Sequence, residues 1–309
     1  MSGHGRTYKS YDYLTYPREF VTYRWFKPLI VFAITVATLF AGTVACVCIT
    51  ALMTGSFSFA TNVSSGGYDT MSPYSAPGAI LSLGSVSCAL LGLVIATRIV
   101  RDRPFSSYST SRGGWKWPIF FKVFGISIVA LTIEIIISYF LDPAANGNQF
   151  TLAGAIMCII LVPLQCISEE YLFRGLIAQA VGAWFKIPVL AIIVSSIIFA
   201  SMHPYSIFGV ISTFATGALF CILAWKTGGL EASSAMHVVN NSFAFGFAGL
   251  GFSKISTEVS FRDFFIQFVF ELIVVAVVLY LGNKNNWFEP TGDGVTPFNE
   301  EAQKRLAQK

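Results

Sequence analysis

Charge is what this sequence has least of. Of its 309 residues, 12% are Asp, Glu, Lys or Arg, about half the share of roughly 25% usual in soluble domains. That shortage rules out an ordinary water-soluble globule. The sign balance is slight as well, with 20 Lys and Arg against 16 Asp and Glu and a net charge of +4. So small and scattered an excess excludes nucleic acid as a partner. Cysteine is sparse and silent. Cys46, Cys48, Cys88, Cys158, Cys166 and Cys221 all lie in apolar runs without metal-ligand spacing, which makes them small buried hydrophobes rather than disulfides or nucleophiles. No H-E-x-x-H occurs, so the commonest helical zinc signature is missing. There is no internal repeat and no soluble module of useful size.

What is present is apolar surface. Hydrophobic residues make up 54% of the chain, with 29 Phe among them. A stretch of roughly 17–25 apolar residues can cross a bilayer as a helix. Candidates lie at 30–53, 79–100, 119–141, 152–178, 188–203, 210–225, 237–252 and 264–281, the fifth to seventh being short. The expected fold is therefore all-α, a polytopic integral membrane protein of about eight transmembrane helices. Lys and Arg gather in the N-terminal arm (Arg6, Lys9, Arg18, Arg24, Lys27) and in the second connection (Arg98, Arg101, Arg103, Arg112, Lys116). The first loop, 55–77, and the third, 142–148, have none. Basic residues stay on the cytoplasmic side, so both termini are expected there, although Lys254 and Arg262 run against the trend. The chain divides into a cytoplasmic arm, 1–28, a transmembrane domain, 29–282, and a polar cytoplasmic tail, 283–309. The Arg-rich connection reads as a topology determinant. The first apolar run exceeds the 7–15 residues of a signal-peptide core and no A-x-A follows, so cleavage is not expected. The Asn62-Val-Ser sequon falls in an exterior loop.

The informative residues are the polar ones inside the spans, because such groups are costly there and face a bundle interior or a wet cavity. They are Glu134, Glu169, Glu170, Arg174, His203 and His237, with Asn240 and Asn241 beside the last. Glu170 and Arg174 are four apart and share a helical face, where a Glu–Arg pair lowers the cost of burial. Glu169 points about 100° away, free for another partner. His237 and Asn241 are again four apart, as are Phe199 and His203. If the chain doubles back at Lys186-Ile187-Pro188, Glu169 and His203 reach similar heights. His237, shortly after Thr227-Gly228-Gly229, joins them. Pro204 should end or kink the fifth helix at His203, and non-helical backbone at that depth is tolerated where it lines a cavity. A Glu, two His and an Asn in one wet pocket suit peptide-bond hydrolysis. The carboxylate serves as general base, one His orients the water, and the other His and the Asn donate to the oxyanion. Glu169, His203 and His237 could instead hold a catalytic zinc; both readings stay open here. Glu134 reads as a hydrogen-bonded structural group.

These residues carry a resemblance. EEYLFR (169–174) matches the E-E-x-x-x-R motif of the CAAX protease and bacteriocin-processing (CPBP, or Abi) intramembrane proteases, FASMH (199–203) matches their F-x-x-x-H, and HVVNN (237–241) their H-x-x-x-N. The three stand in the family's order on successive segments, within a core at 152–252. The family includes type II CAAX prenyl endopeptidases and bacterial members linked to peptide maturation or bacteriocin self-immunity. By position, the resemblance implies Glu169 as activator of the water and His203 as its holder. It implies Glu170 and Arg174 as the supporting pair, and His237 and Asn241 at the oxyanion. It leaves zinc against a metal-free glutamate mechanism undecided. A membrane-anchored peptide or protein substrate, the lipid bilayer as surroundings and a bacterial cell membrane are expected. The competing readings are a non-catalytic immunity or scaffold protein and a proton-coupled transporter, the second opposed by the lack of repeats.

Overall fold

In the computed structural model the described residues are 11–57, 72–143, 146–253 and 258–290. Arg6, Lys9, the Asn62 sequon, Lys254, most of the 283–309 tail and the first third of the 1–28 arm lie outside them.

Among the described residues, besides short helical turns at Tyr16–Glu19 and Ser106–Ser109, eight longer helices follow one another: α1 Lys27–Thr54, α2 Ala76–Val100, α3 Trp117–Leu141, α4 Leu152–Phe185, α5 Pro188–Ser201, α6 Ile207–Thr227, α7 Glu231–Gly249 and α8 Phe261–Lys284. Each expected apolar segment overlaps one of them. Among the described residues the only β-type pairing is an isolated bridge between Thr110 and Gly229. Local chemistry sets the ends. Ser75, Thr151 and Ser260 cap α2, α4 and α8 by accepting the backbone N–H three residues on, which satisfies donors that a helix start leaves open. Pro188 opens α5 directly after Lys186, which takes the left-handed conformation at φ 57°, so the hairpin expected there forms. Gly228, at φ 74°, closes α6, a conformation open to glycine at no steric cost.

Among the described residues six helices are long and apolar enough to cross a membrane, and the protein is a multi-pass membrane protein. The other two differ for physical reasons. α5 has 14 residues, roughly 21 Å at 1.5 Å per residue, short of a hydrocarbon layer of about 30 Å. α7 begins at Glu231, six residues before the expected start, and carries Ser233, Ser234, His237, Asn240 and Asn241. Its polarity costs little, because residues from Glu231 to Val239 are buried against protein. Small side chains at Ala232, Ser233, Ser234 and Ala235 let neighbours approach closely, the usual basis of helix association in lipid. Elsewhere the apolar surface turns outward: Leu52 on α1, Phe140 on α3 and Ile159 on α4 are each at least 75% exposed, as lipid-facing side chains are.

The Arg-rich connection 98–116, expected as a topology determinant, also carries internal bonds, since Arg103 and Arg112 are buried. Arg112 pairs with Glu231 at 2.7 Å, and the backbone N–H of Lys116 donates to the other Glu231 oxygen at 2.9 Å. Burial pulls the Arg112 guanidinium below the usual arginine value while the Glu231 carboxylate opposes the shift. Arg103 donates to the Gln179 side chain and to the carbonyl of Gly175. The N-terminal arm lies over this layer: the Tyr13 hydroxyl donates to the Tyr108 carbonyl at 2.7 Å, and Asp12 accepts from the Trp225 indole N–H at 2.7 Å. The second half of α4 is thus covered by the protein's own loop and arm.

Candidate active site

The EEYLFRG stretch sits where α4 changes pitch. The segment Leu152–Glu170 is α-helical and Tyr171–Ala178 is π-helical. π-Helical insertions are rare and frequent at functional sites. Glu169 is the eighteenth residue of the helix, roughly 25 Å from its start, toward the far end of a hydrocarbon core. Glu170 and Arg174 are both fully buried and pair at 2.8 Å. The other Arg174 amine donates to the carbonyl of Gly217 on α6 at 3.1 Å. Its guanidinium also lies over the rings of Phe199 (4.5 Å) and Phe220 (5.3 Å), a placement that suits arginine's planar, weakly hydrated head. A Cβ at Gly217 would stand 3.3 Å from that amine and 3.0 Å from the Phe199 ring, so a bare glycine is what lets Arg174 reach the backbone.

His237 comes from α7 into the space between the two glutamates. Its Nδ1 is 3.0 Å from Glu170 Oε1, the oxygen that also accepts from Arg174. Its Nε2 is 3.5 Å from Glu169 Oε2, which accepts no hydrogen bond from the protein. A carboxylate can only accept, so Nδ1 carries the proton, and in a neutral imidazole Nε2 is then bare. In the protonated ring both N–H groups face carboxylates. His237 thus stands between the two carboxylates, bonded to Glu170 and 3.5 Å from Glu169.

His203 follows the end of α5 on the non-helical link to α6, as Pro204 led one to expect. Its Nδ1 lies 2.8 Å from the Phe199 carbonyl, which again assigns the proton to Nδ1 and leaves Nε2 as an acceptor. It makes no hydrogen bond to Glu169. The two histidines meet through Phe199, whose ring centre lies 4.8 Å from His203 and 6.1 Å from His237. Asn241, one turn after His237, donates to Gln165 Oε1 at 3.2 Å and accepts from Asn240 at 3.5 Å. Glu134 accepts from Ser138 at 3.1 Å.

The zinc reading of Glu169, His203 and His237 does not fit this arrangement. Among the described residues no three His, Cys, Asp or Glu side chains come close enough to hold a metal ion. His237 Nδ1 is committed to Glu170 and His203 makes no hydrogen bond to Glu169, so no step is routed through a metal.

Several participants have no sequence signature. Gln165 is a polar residue one turn before Glu169, and its spacing was its only signal. Glu231 and Arg112 are 119 residues apart. Glu271, inside the last apolar span, is fully buried and accepts from Thr216 at 2.7 Å and from Gln267 at 3.0 Å. Thr216 precedes Gly217, so this second polar cluster adjoins the carbonyl that holds Arg174.

The comparisons with known proteins agree with the placement of these motifs. Residues 151–243 match the family described as Rce1-like, type II CAAX prenyl endopeptidase Rce1-like. The chain is 29% identical over 171 residues to YyaK, an uncharacterised protein of Bacillus subtilis strain 168. That match covers 50% of this chain and spans about half the length, 56%, of YyaK. No solved structure matches. The segment that carries all three motifs, the π-helical turn and the buried Glu–Arg–His cluster is accordingly one that resembles the type II CAAX prenyl endopeptidase family from end to end.

Proposed function

We propose that this protein is an intramembrane endopeptidase that hydrolyses a peptide bond of a membrane-anchored peptide or protein. The observation that carries the reading is the unequal pair of carboxylates around His237. Glu170 has Arg174 at 2.8 Å as its counter-charge, whereas Glu169 has no cation of its own; each keeps one buried oxygen without a protein donor. An acceptor-only group in that state is suited to take a proton from water.

In the proposed mechanism the carboxylate of Glu169 removes a proton from a water molecule. His203 holds the same water as an acceptor through its bare Nε2. The water oxygen bonds to the carbonyl carbon of the substrate, and the carbonyl electron pair moves onto oxygen. The Asn241 amide donates to that oxyanion. Collapse breaks the C–N bond, and Glu169 returns its proton to the leaving amine. Glu170 and Arg174 position His237 without touching substrate. Peptide maturation or self-immunity against a bacteriocin are the cellular roles this chemistry suits.

The test is cleavage of a fluorescent, membrane-anchored peptide by purified protein in nanodiscs. Wild type should cut, and Glu169→Ala and His203→Ala should each lose the activity while remaining folded. Equal cutting by either variant refutes the mechanism. One observation favours a non-catalytic scaffold: Arg174, Glu170 and His237 tie α4, α6 and α7 together by buried polar bonds. An absence of cleavage by wild type, together with loss of folding in Glu170→Ala, would support that reading.

A further inference from the structure

His203 stands where the backbone gives it least support. α5 ends at Ser201, and Pro204 keeps the helix from continuing through the histidine. The bond from Nδ1 to the Phe199 carbonyl, at 2.8 Å, holds one edge of the imidazole. A hydrogen bond of that kind fixes a point on the ring and leaves the ring free to swing about it. The direction of Nε2 is therefore set by what packs against the ring. Two aromatic side chains do so. The Phe199 ring centre lies 4.8 Å from that of His203 at an angle of 59°, and the Tyr205 ring centre lies 5.6 Å away at 35°. Both fall within the range of about 4.5–7 Å over which such rings attract. Phe199 belongs to the F-x-x-x-H motif, and Tyr205 lies outside it.

Tyr205 is itself held in place. Its backbone N–H donates to the His203 carbonyl at 2.9 Å, closing a tight turn around Pro204. Gly209, in the first turn of α6, makes room for it: a Cβ there would stand 2.5 Å from Tyr205 Cβ and 3.2 Å from its Cγ. The Glu169 carboxylate acts electrostatically on the Tyr205 phenol, so the tyrosine is near both groups assigned to the water.

We propose that Tyr205 is a positioning residue: with Phe199 it clamps the His203 imidazole and so aims Nε2 at the water that Glu169 deprotonates. The inference rests on the endopeptidase reading and adds a residue to it. The operative part is the aromatic ring. The phenol hydroxyl takes no part in proton transfer, and the clamp acts through His203 without touching substrate.

Tyr205→Leu removes the ring and Tyr205→Phe keeps it. In the nanodisc assay kcat should fall about 10- to 100-fold in Tyr205→Leu, the scale of loss for a catalytic group misplaced by about 1 Å, with KM within about threefold. Tyr205→Phe should restore kcat to within about threefold of wild type. Gly209→Ala, which displaces the tyrosine without altering it, should lower kcat in the same direction. The chain has three histidines, so protein isotope-labelled at histidine Cε1 gives one imidazole signal for each, and His203→Ala identifies the one required. Ring currents from the flanking aromatics shift that signal. It should move in Tyr205→Leu and Gly209→Ala and keep its wild-type position in Tyr205→Phe, while the His237 signal stays in place; a merely structural role would not single out His203. A kcat within about threefold of wild type in Tyr205→Leu, an unmoved His203 signal there, or a Tyr205→Phe as slow as Tyr205→Leu overturns the inference. If Tyr205→Leu fails to fold, Tyr205→Met decides by the same criteria. Wild-type cutting that Glu169→Ala abolishes, with full activity in Tyr205→Leu, defeats the clamp alone. No cutting by wild type defeats the endopeptidase reading and the inference with it.

Discussion

Removing Arg174 while leaving Glu170 should be among the most damaging single changes in the protein. Both side chains are fully buried and bonded at 2.8 Å. Deleting one partner of such a pair leaves an uncompensated charge away from water, at a cost of about 3–5 kcal/mol. Arg174→Met keeps much of the volume but leaves the Glu170 carboxylate without its counter-charge. The double variant Glu170→Gln/Arg174→Met removes both charges and keeps an amide oxygen for His237 Nδ1. Neutral replacements of buried pairs are often close to neutral in stability, so it should recover to within about 1–2 kcal/mol of wild type. The coupling between the two positions is then at least about 2 kcal/mol, the upper part of the range for residues in contact. Activity should not recover with stability, because a neutral amide no longer fixes the imidazole by a charged bond. Reversible unfolding in mixed micelles with a graded fraction of denaturing detergent measures the first quantity, and the nanodisc cleavage assay the second. A single variant destabilised by less than about 1 kcal/mol, or a double variant as unstable as the single, would refute the argument that this is a dry, charge-balanced pair.

Three further outcomes follow from other parts of the molecule. Glu231→Gln should destabilise the protein by roughly 3 kcal/mol, because Arg112 loses the carboxylate it pairs with; limited trypsin digestion within 101–116 should then speed up. Glu271→Leu should cost about 1–3 kcal/mol by stranding the Thr216 hydroxyl and the Gln267 amide, with Glu271→Gln milder; unfolding midpoints in micelles check the order. Gly217→Val should cost about 1–3 kcal/mol by overpacking and lower kcat more than Gly217→Ala, since a branched side chain pushes Arg174 off the Gly217 carbonyl; kcat and unfolding midpoints measured on the same preparations compare the two.

How far the site was legible depends on the range of the signal. The Glu170–Arg174 pair follows from a spacing of four on one helix, and the hairpin between α4 and α5 from Lys186 and Pro188. Both are local, and both are found. The ending of α5 near His203 is local too, because Pro204 cannot continue the helix. The polar character of α7 lay in plain sight but pulled its expected start to His237. Hydropathy does not register that Ser233 and Ser234 are enclosed by neighbours and so need not be apolar. Glu271 went unnoticed for the opposite reason, since a single carboxylate scarcely lowers the hydropathy of a strongly apolar span.

The linear sequence by itself determined that this chain lives in a membrane as a series of helices, because run length and apolarity decide that residue by residue. It also determined which residues carry unusual cost there, and the motif order that resembles the CAAX proteases. Only the tertiary structure decided how those residues share their bonds. It placed His237 between two carboxylates, bonded His203 to the Phe199 carbonyl, and joined Asn241 to Gln165. It folded Arg103 and Arg112 inward and set the Glu271 cluster beside the backbone that holds Arg174. The physical reason is that a hydrogen bond is decided within about 3 Å. Where two helices meet to that precision depends on small residues such as Gly217 and Ser234 and on packing between segments far apart in the chain.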